Sequence, residues 1–156
     1  MRDISIGNNI NNTVSALMNM GSVYTEMKDY KSALINLNEA KALLINSDNV
    51  HFKGILEIEF SRYYSKINNN TDALKHALKA YEIANNNNLA ILKNEILEQL
   101  GDVYFAHKDY VKSKNNYLKA LEGSKENKSK QSENNLYKSC HWSICKMAIM
   151  KNQIII

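Results

Sequence analysis

Read in steps of forty residues, the chain lines up with itself. Gly21, Ser61 and Gly101 share one column, and three residues later stand Tyr24, Tyr64 and Tyr104. Twelve residues after the first column come Ala33, Ala73 and Ser113, and seven beyond those come Ala40, Ala80 and Ala120. Met20, Phe60 and Leu100 precede the small residues. Lys28-Asp29-Tyr30, Asn68-Asn69-Asn70 and Lys108-Asp109-Tyr110 divide each unit in two. A period in this range marks a repeat architecture, in which each unit is one supersecondary element that buries its apolar side only against its neighbours.

Within a unit the apolar spacing is helical. Leu17, Met20, Tyr24 and Met27 stand three and four apart and make one stripe. Ala33, Leu34, Leu37, Ala40, Lys41 and Leu44 make a second stripe after the break. Asp29 and Asp109 stand where a side-chain oxygen accepts from the first N–H groups of the second helix, and Asn70 or Thr71 is expected to do so in the middle unit. Glycine inside a helix costs roughly 1 kcal/mol against alanine. That cost makes sense if another helix crosses so closely that a Cβ would intrude. Ala33, Ala73 and Ser113 are then the facing contacts, and the tyrosine column fills the adjacent core. Helices are expected at 12–27, 30–46, 49–67, 71–85, 88–107, 110–124 and 132–151, with a polar loop or fraying helix end over Gly123–Gln131.

Ser15–Leu44 (SALMNMGSVYTEMKDYKSALINLNEAKALL) and Leu97–Glu122 (LEQLGDVYFAHKDYVKSKNNYLKALE) resemble tetratricopeptide repeats, and Ile55–Ala84 is a degenerate copy in register. The resemblance implies an all-α fold: an α-solenoid, or superhelix, of three helix pairs at about 13–46, 49–86 and 88–124, forming a single domain over residues 1–156. Another forty-residue step reaches His141, with Tyr137, Cys140, Ile144 and Met147 at the apolar places of a partial fourth unit over 132–151. Two departures stand out: the period exceeds the usual ~34 residues, and no proline closes any unit. The surplus, in Asn46–Lys53 and Asn85–Lys93, is expected to lengthen each first helix, as in long-unit arrays of bacterial signalling proteins. HEAT or armadillo repeats share the period but lack the Gly…Tyr…Asp-Tyr pattern. The unfinished fourth unit reads either as a piece of a longer protein or as an end covered by a second copy.

Composition narrows the field. With no proline and five glycines, a turn-rich β-sandwich or barrel is excluded. Two cysteines make no disulfide framework. No apolar run approaches the ~18 residues of a membrane span, and Met1–Asn12 lacks a signal-peptide pattern, so a cytoplasmic chain is expected. Residues 1–107 carry 10 Lys/Arg against 12 Asp/Glu, and residues 108–156 carry 10 against 4. All ten basic residues of that last third are lysines, without the arginine fork that grips phosphates and guanine edges, so nucleic acid is a weaker alternative partner. The abundance of Lys, Ile and Asn (23 asparagines) fits an AT-rich genome.

No catalytic grouping emerges. Cys140, His141 and Cys145 have the wrong spacing for a metal site and no second pair, and the cysteines read as small buried residues. His51, His76 and His107 occupy unrelated slots. Glu57 with Glu59, and Glu95 with Glu98, read as solvated helix faces. No Ser/His/Asp set or phosphate loop is present. No enzyme, cofactor or metal is expected.

The resemblance instead implies a protein- or peptide-binding groove lined by the first helices. Carried over position by position, its inward residues are Met18, Asn19, Ser22, Thr25 and Glu26, then Ile58, Glu59, Arg62, Ser65 and Lys66. The third unit supplies Glu95, Glu98, Gln99, Asp102 and Phe105, and the partial fourth Lys138, Trp142 and Lys146. Met18, Ser22, Glu59, Glu95 and Gln99 stand where some members carry a lysine–asparagine carboxylate clamp, so that activity is not expected. Glu95, Glu98 and Asp102 share a face suited to a basic group, Arg62 is placed to pair with Glu59, and Trp142 is a candidate anchor. Such arrays resemble sensor or docking parts of bacterial regulators, including peptide-pheromone receptors and the repeat regions ahead of sensor kinases. Self-association through His141–Ile156, as a homodimer, is the structural alternative.

Overall fold

The computed structural model describes residues 3–126 and 138–140, with side chains for 10–123 and 138–140. Six α-helices account for the first stretch: α1 (Asp3–Glu26), α2 (Tyr30–Leu44), α3 (Val50–Lys66), α4 (Asn70–Asn86), α5 (Ala90–Ala106) and α6 (Tyr110–Glu126). There is no strand among the described residues. Residues 138–140 are helical, while the rest of the expected seventh helix lies outside the described residues. Consecutive helices pair as α1–α2, α3–α4 and α5–α6, and α3 also packs on both α1 and α2. The architecture is an all-helical repeat. The chain divides into two compact units, Met1–Asn87 and Asn88–Ile156.

The period is shared more evenly than the sequence suggests. From α3 onward each helix has 17 residues, and three residues separate it from the next. The surplus over a shorter unit therefore lengthens second helices as much as first ones. Before α3, α1 has 24 residues and α2 has 15, and a longer turn follows α2.

The turn inside each unit is the same object three times. Lys28, Asn68 and Lys108 take the left-handed conformation, at φ of 63°, 60° and 61°. Their N–H groups bond back to the carbonyls of Thr25, Ser65 and Phe105, at 3.1, 3.1 and 2.9 Å. The following N–H groups, of Asp29, Asn69 and Asp109, reach the carbonyls of Tyr24, Tyr64 and Tyr104, each at 2.9 Å. This pair of bonds is the Schellman motif, which satisfies the last carbonyls of a helix. The same three residues then cap the next helix: Asp29 Oδ1 accepts from Ser32 N–H, Asn69 Oδ1 from Asp72 N–H and Asp109 Oδ1 from Lys112 N–H. The middle cap is thus Asn69, one residue ahead of the expected Asn70 or Thr71. Placing the left-handed residue first leaves Asn69 in the position from which its side chain reaches forward.

Where the paired helices cross, the column of small residues behaves as expected. A Cβ added to Gly21 would lie 2.7 Å from the Leu37 side chain, and one added to Gly101 would lie closer still to the Tyr117 ring. Ser61, fully buried, donates instead to the Ala73 carbonyl at 2.9 Å. Leu37, Ala77 and Tyr117 occupy one slot of the forty-residue period. Where the near residue is glycine the facing slot is large, and where it is serine the slot is alanine. Ala33, Ala73 and Ser113, with Ala40, Ala80 and Ala120, are all fully buried.

The apolar stripe of α1 is rotated from its expected position. Met20 and Met27 are 46% and 69% exposed, while Val14, Met18, Gly21 and Thr25 carry the buried side. Tyr24, Tyr64 and Tyr104 are half-buried at the margin of the core instead of filling it. Their fixed contribution to the turn is the main-chain carbonyl.

Two substitutions test these contacts. Alanine is the better helix former by roughly 1 kcal/mol, yet Gly101→Ala is expected to lower the melting temperature, because overpacking costs about 1–3 kcal/mol. A raised melting temperature would show that α6 does not press on Gly101. Asn69→Ala is expected to remove about 1 kcal/mol of stability in urea unfolding, the usual worth of an N-cap.

Candidate functional site

Within residues 1–87, the first helices α1 and α3 pack against each other and bring the candidate side chains of both onto one face. Asn19 and Glu26 are exposed and Ser22 half-buried on α1; Arg62 is half-buried and Lys66 exposed on α3. Lys66 Nζ lies 2.8 Å from Glu26 Oε2, joining positions one period apart. Arg62 Nη1 pairs with Glu59 Oε1, one helical turn earlier, as the spacing suggests. Three of the inward residues are not on this surface. Met18, Thr25 and Ile58 are buried, and Thr25 Oγ1 donates to the Gly21 carbonyl at 2.8 Å. Being apolar, or able to bond back to their own helix, these side chains serve the core.

In the second unit, Glu95 and Asp102 are exposed, and Glu98 and Phe105 half-buried. Gln99 is only 7% exposed, on the flank of α5 that also buries Ile96 and Val103, so it is withdrawn from any contact surface. Asp102 accepts from the Tyr117 hydroxyl at 2.6 Å. Burial, then the Asp102 charge, push the Tyr117 phenol far above its ordinary value, so it remains a donor at all working pH. Phe105 packs edge-on against Tyr110, with ring centres 5.2 Å apart. Cys140 is buried, which raises its thiol pKa. Lys138 is exposed, and Trp142, Lys146 and the self-association segment His141–Ile156 lie outside the described residues. Among the described residues no cluster of three His, Cys, Asp or Glu side chains could hold a metal. No described helix is long and apolar enough to cross a membrane.

A polar centre lies where the sequence pattern predicts only a solvated helix face. Glu57, expected on a solvated face, is 6% exposed. Its carboxylate lies 2.6 Å from His76 Nδ1 and 2.7 Å from Lys79 Nζ, both on α4. The His76 ring stacks on both Phe60 and Tyr64, with centres 5.1 and 5.2 Å away. Burial by itself raises the Glu57 carboxyl pKa. The hydrogen bonds with His76 and Lys79, and their charges, outweigh burial and hold it below its ordinary value. The available signal was cross-helix spacing: Phe60 and Tyr64 stand one turn apart on α3, and His76 and Lys79 one turn apart on α4.

Because the folded pKa of Glu57 is depressed, its contribution to stability is complete above the ordinary value of 4.5 and is lost as pH falls through the folded value. Glu57→Gln is therefore expected to flatten the acid limb of a stability–pH profile measured by urea unfolding. At neutral pH it should cost about 1–3 kcal/mol, the worth of a buried charged hydrogen bond. An unchanged acid limb would remove Glu57 from that role.

The chain matches no known family model, and no curated protein matches it.

Proposed function

We propose that this chain is a non-catalytic scaffold of the tetratricopeptide kind that binds a protein or peptide, as the sensor or docking part of a bacterial regulator. The observation that supports this reading is the shared face of α1 and α3, where Asn19, Ser22, Glu26, Arg62 and Lys66 form a polar surface on rigid helices. The buried crossings behind it need not move for a ligand to enter. Both partners of the Glu26–Lys66 pair are substantially exposed, so its own worth is small, about 0–1 kcal/mol. A ligand carboxylate can replace Glu26 at Lys66, or a ligand amine can replace Lys66 at Glu26, at little cost. The peptide it suits carries charge of both signs, with an extended backbone or one helix laid along the face.

The test begins with a pull-down from source-cell extract, followed by direct titration of the peptide identified. Lys66→Glu, which breaks only an exposed pair, is expected to weaken that titration at least tenfold with little change in melting temperature. Retention of nothing by the wild-type chain, or equal affinity in the variant, would overturn the proposal. Capture that disappears on nuclease treatment would point to the lysine-rich end and nucleic acid instead.

A further inference from the structure

A second recessed surface lies in the unit 1–87, on different elements from the α1–α3 face. It is a pocket of about 190 Å³ between α2, α3 and α4. Leu44, Ile45, Leu56 and Ile83 supply its aliphatic walls. Lys41, Lys53 and Lys79 also line it, mainly through their aliphatic stems, so that their charged ends stand at its margin with the single carboxylate of Glu57. That carboxylate is engaged by Lys79 and His76. Lys41 rests over the Phe60 ring, 5.6 Å from its centre, and among the described residues neither Lys41 nor Lys53 is paired with a carboxylate. The pocket thus joins an apolar interior to an excess of positive charge.

We propose that this pocket binds a small amphipathic monoanion: an aliphatic chain of about six to eight carbons ending in a carboxylate. Its size sets the length. An apolar cavity of about 150 Å³ takes benzene, whereas drug-sized sites begin at about 300 Å³. The aliphatic walls favour a hydrocarbon over a sugar or nucleotide, because a polar body would lose its water there without recovering hydrogen bonds. The lysines select a negative head, and a carboxylate loses less hydration against these apolar walls than a dianion such as a phosphate monoester. The small volume and single charge of such a ligand argue for a free acid over a folded partner, whose interface would need a far broader surface.

Titration of the full chain with octanoate, followed by amide NMR shifts, tests the assignment. The expected result is saturable shifts confined to α2, α3 and α4. Octan-1-ol and octylamine should bind at least tenfold more weakly. Lys41→Gln with Lys53→Gln should raise the octanoate Kd at least tenfold at unchanged melting temperature, and the corresponding Lys→Arg pair should retain binding. Several results would overturn the proposal: shifts that do not saturate, equal binding of the alcohol, or an unaffected Lys→Gln variant. A short peptide ending in a leucine carboxylate that bound ten times tighter than octanoate would do so as well, assigning the pocket to a chain terminus. None of these outcomes depends on peptide binding at the α1–α3 face.

Discussion

Each helix pair is governed by how closely two backbones approach at one crossing. At Gly21 and Gly101 the near helix gives up its side chain, and the space is taken by Leu37 or Tyr117 from the other. At Ser61 the two sides are nearly equal in size, and a hydroxyl bonds to the main chain across the contact. Three different residue pairs therefore produce one kind of helix pair. Interiors packed at crystal-like density tolerate such exchange only when volume is conserved across the contact. This is why glycine, unfavourable inside a helix on propensity alone, occupies two of the three positions.

The turns convert those pairs into a repeat. A left-handed residue followed by Asp or Asn ends one helix and starts the next within three residues, leaving little freedom for the angle between them. None of the left-handed positions in these turns is glycine; lysine holds two and asparagine one. The local cost of that conformation in a non-glycine residue is offset by two main-chain bonds and a cap at every copy.

Much of this was legible beforehand. The forty-residue columns locate the crossings, the Asp-Tyr pairs locate the turns, and the helix bounds from α2 onward agree to within about two residues. What escaped depends on neighbours more than on pattern. The buried side of α1 passes through Val14, Met18 and Thr25 and not through Met20 and Met27, because one helix face can be drawn through either set and only its packing against α2 and α3 decides. Gln99 and Glu57 are polar by type and buried by position, and their polarity masks the helical spacing that sets Gln99 between Ile96 and Val103. The Glu57 centre requires two helices to be in register before its partners can be recognised. On the proposed binding face, Arg62 with Glu59 was readable because both lie on one helix, whereas Glu26 with Lys66 joins two.

The start of α5 differs from the other helix starts described. Asp29, Asn49, Asn69 and Asp109 each offer an oxygen to the helix that follows, but the residue at the head of α5 is Leu89, which has none. Ala90 N–H bonds to the Asn88 carbonyl at 3.1 Å, but no side chain caps the helix. Asn88, just before it, carries the left-handed twist without the acidic or amide neighbour that follows elsewhere. This helix therefore frays from its first turn more readily than those with a cap. Solvent deuterium will enter the backbone there earlier than at α4 or α6, and the chain passes from one compact unit to the next just ahead of that turn, at Asn87–Asn88.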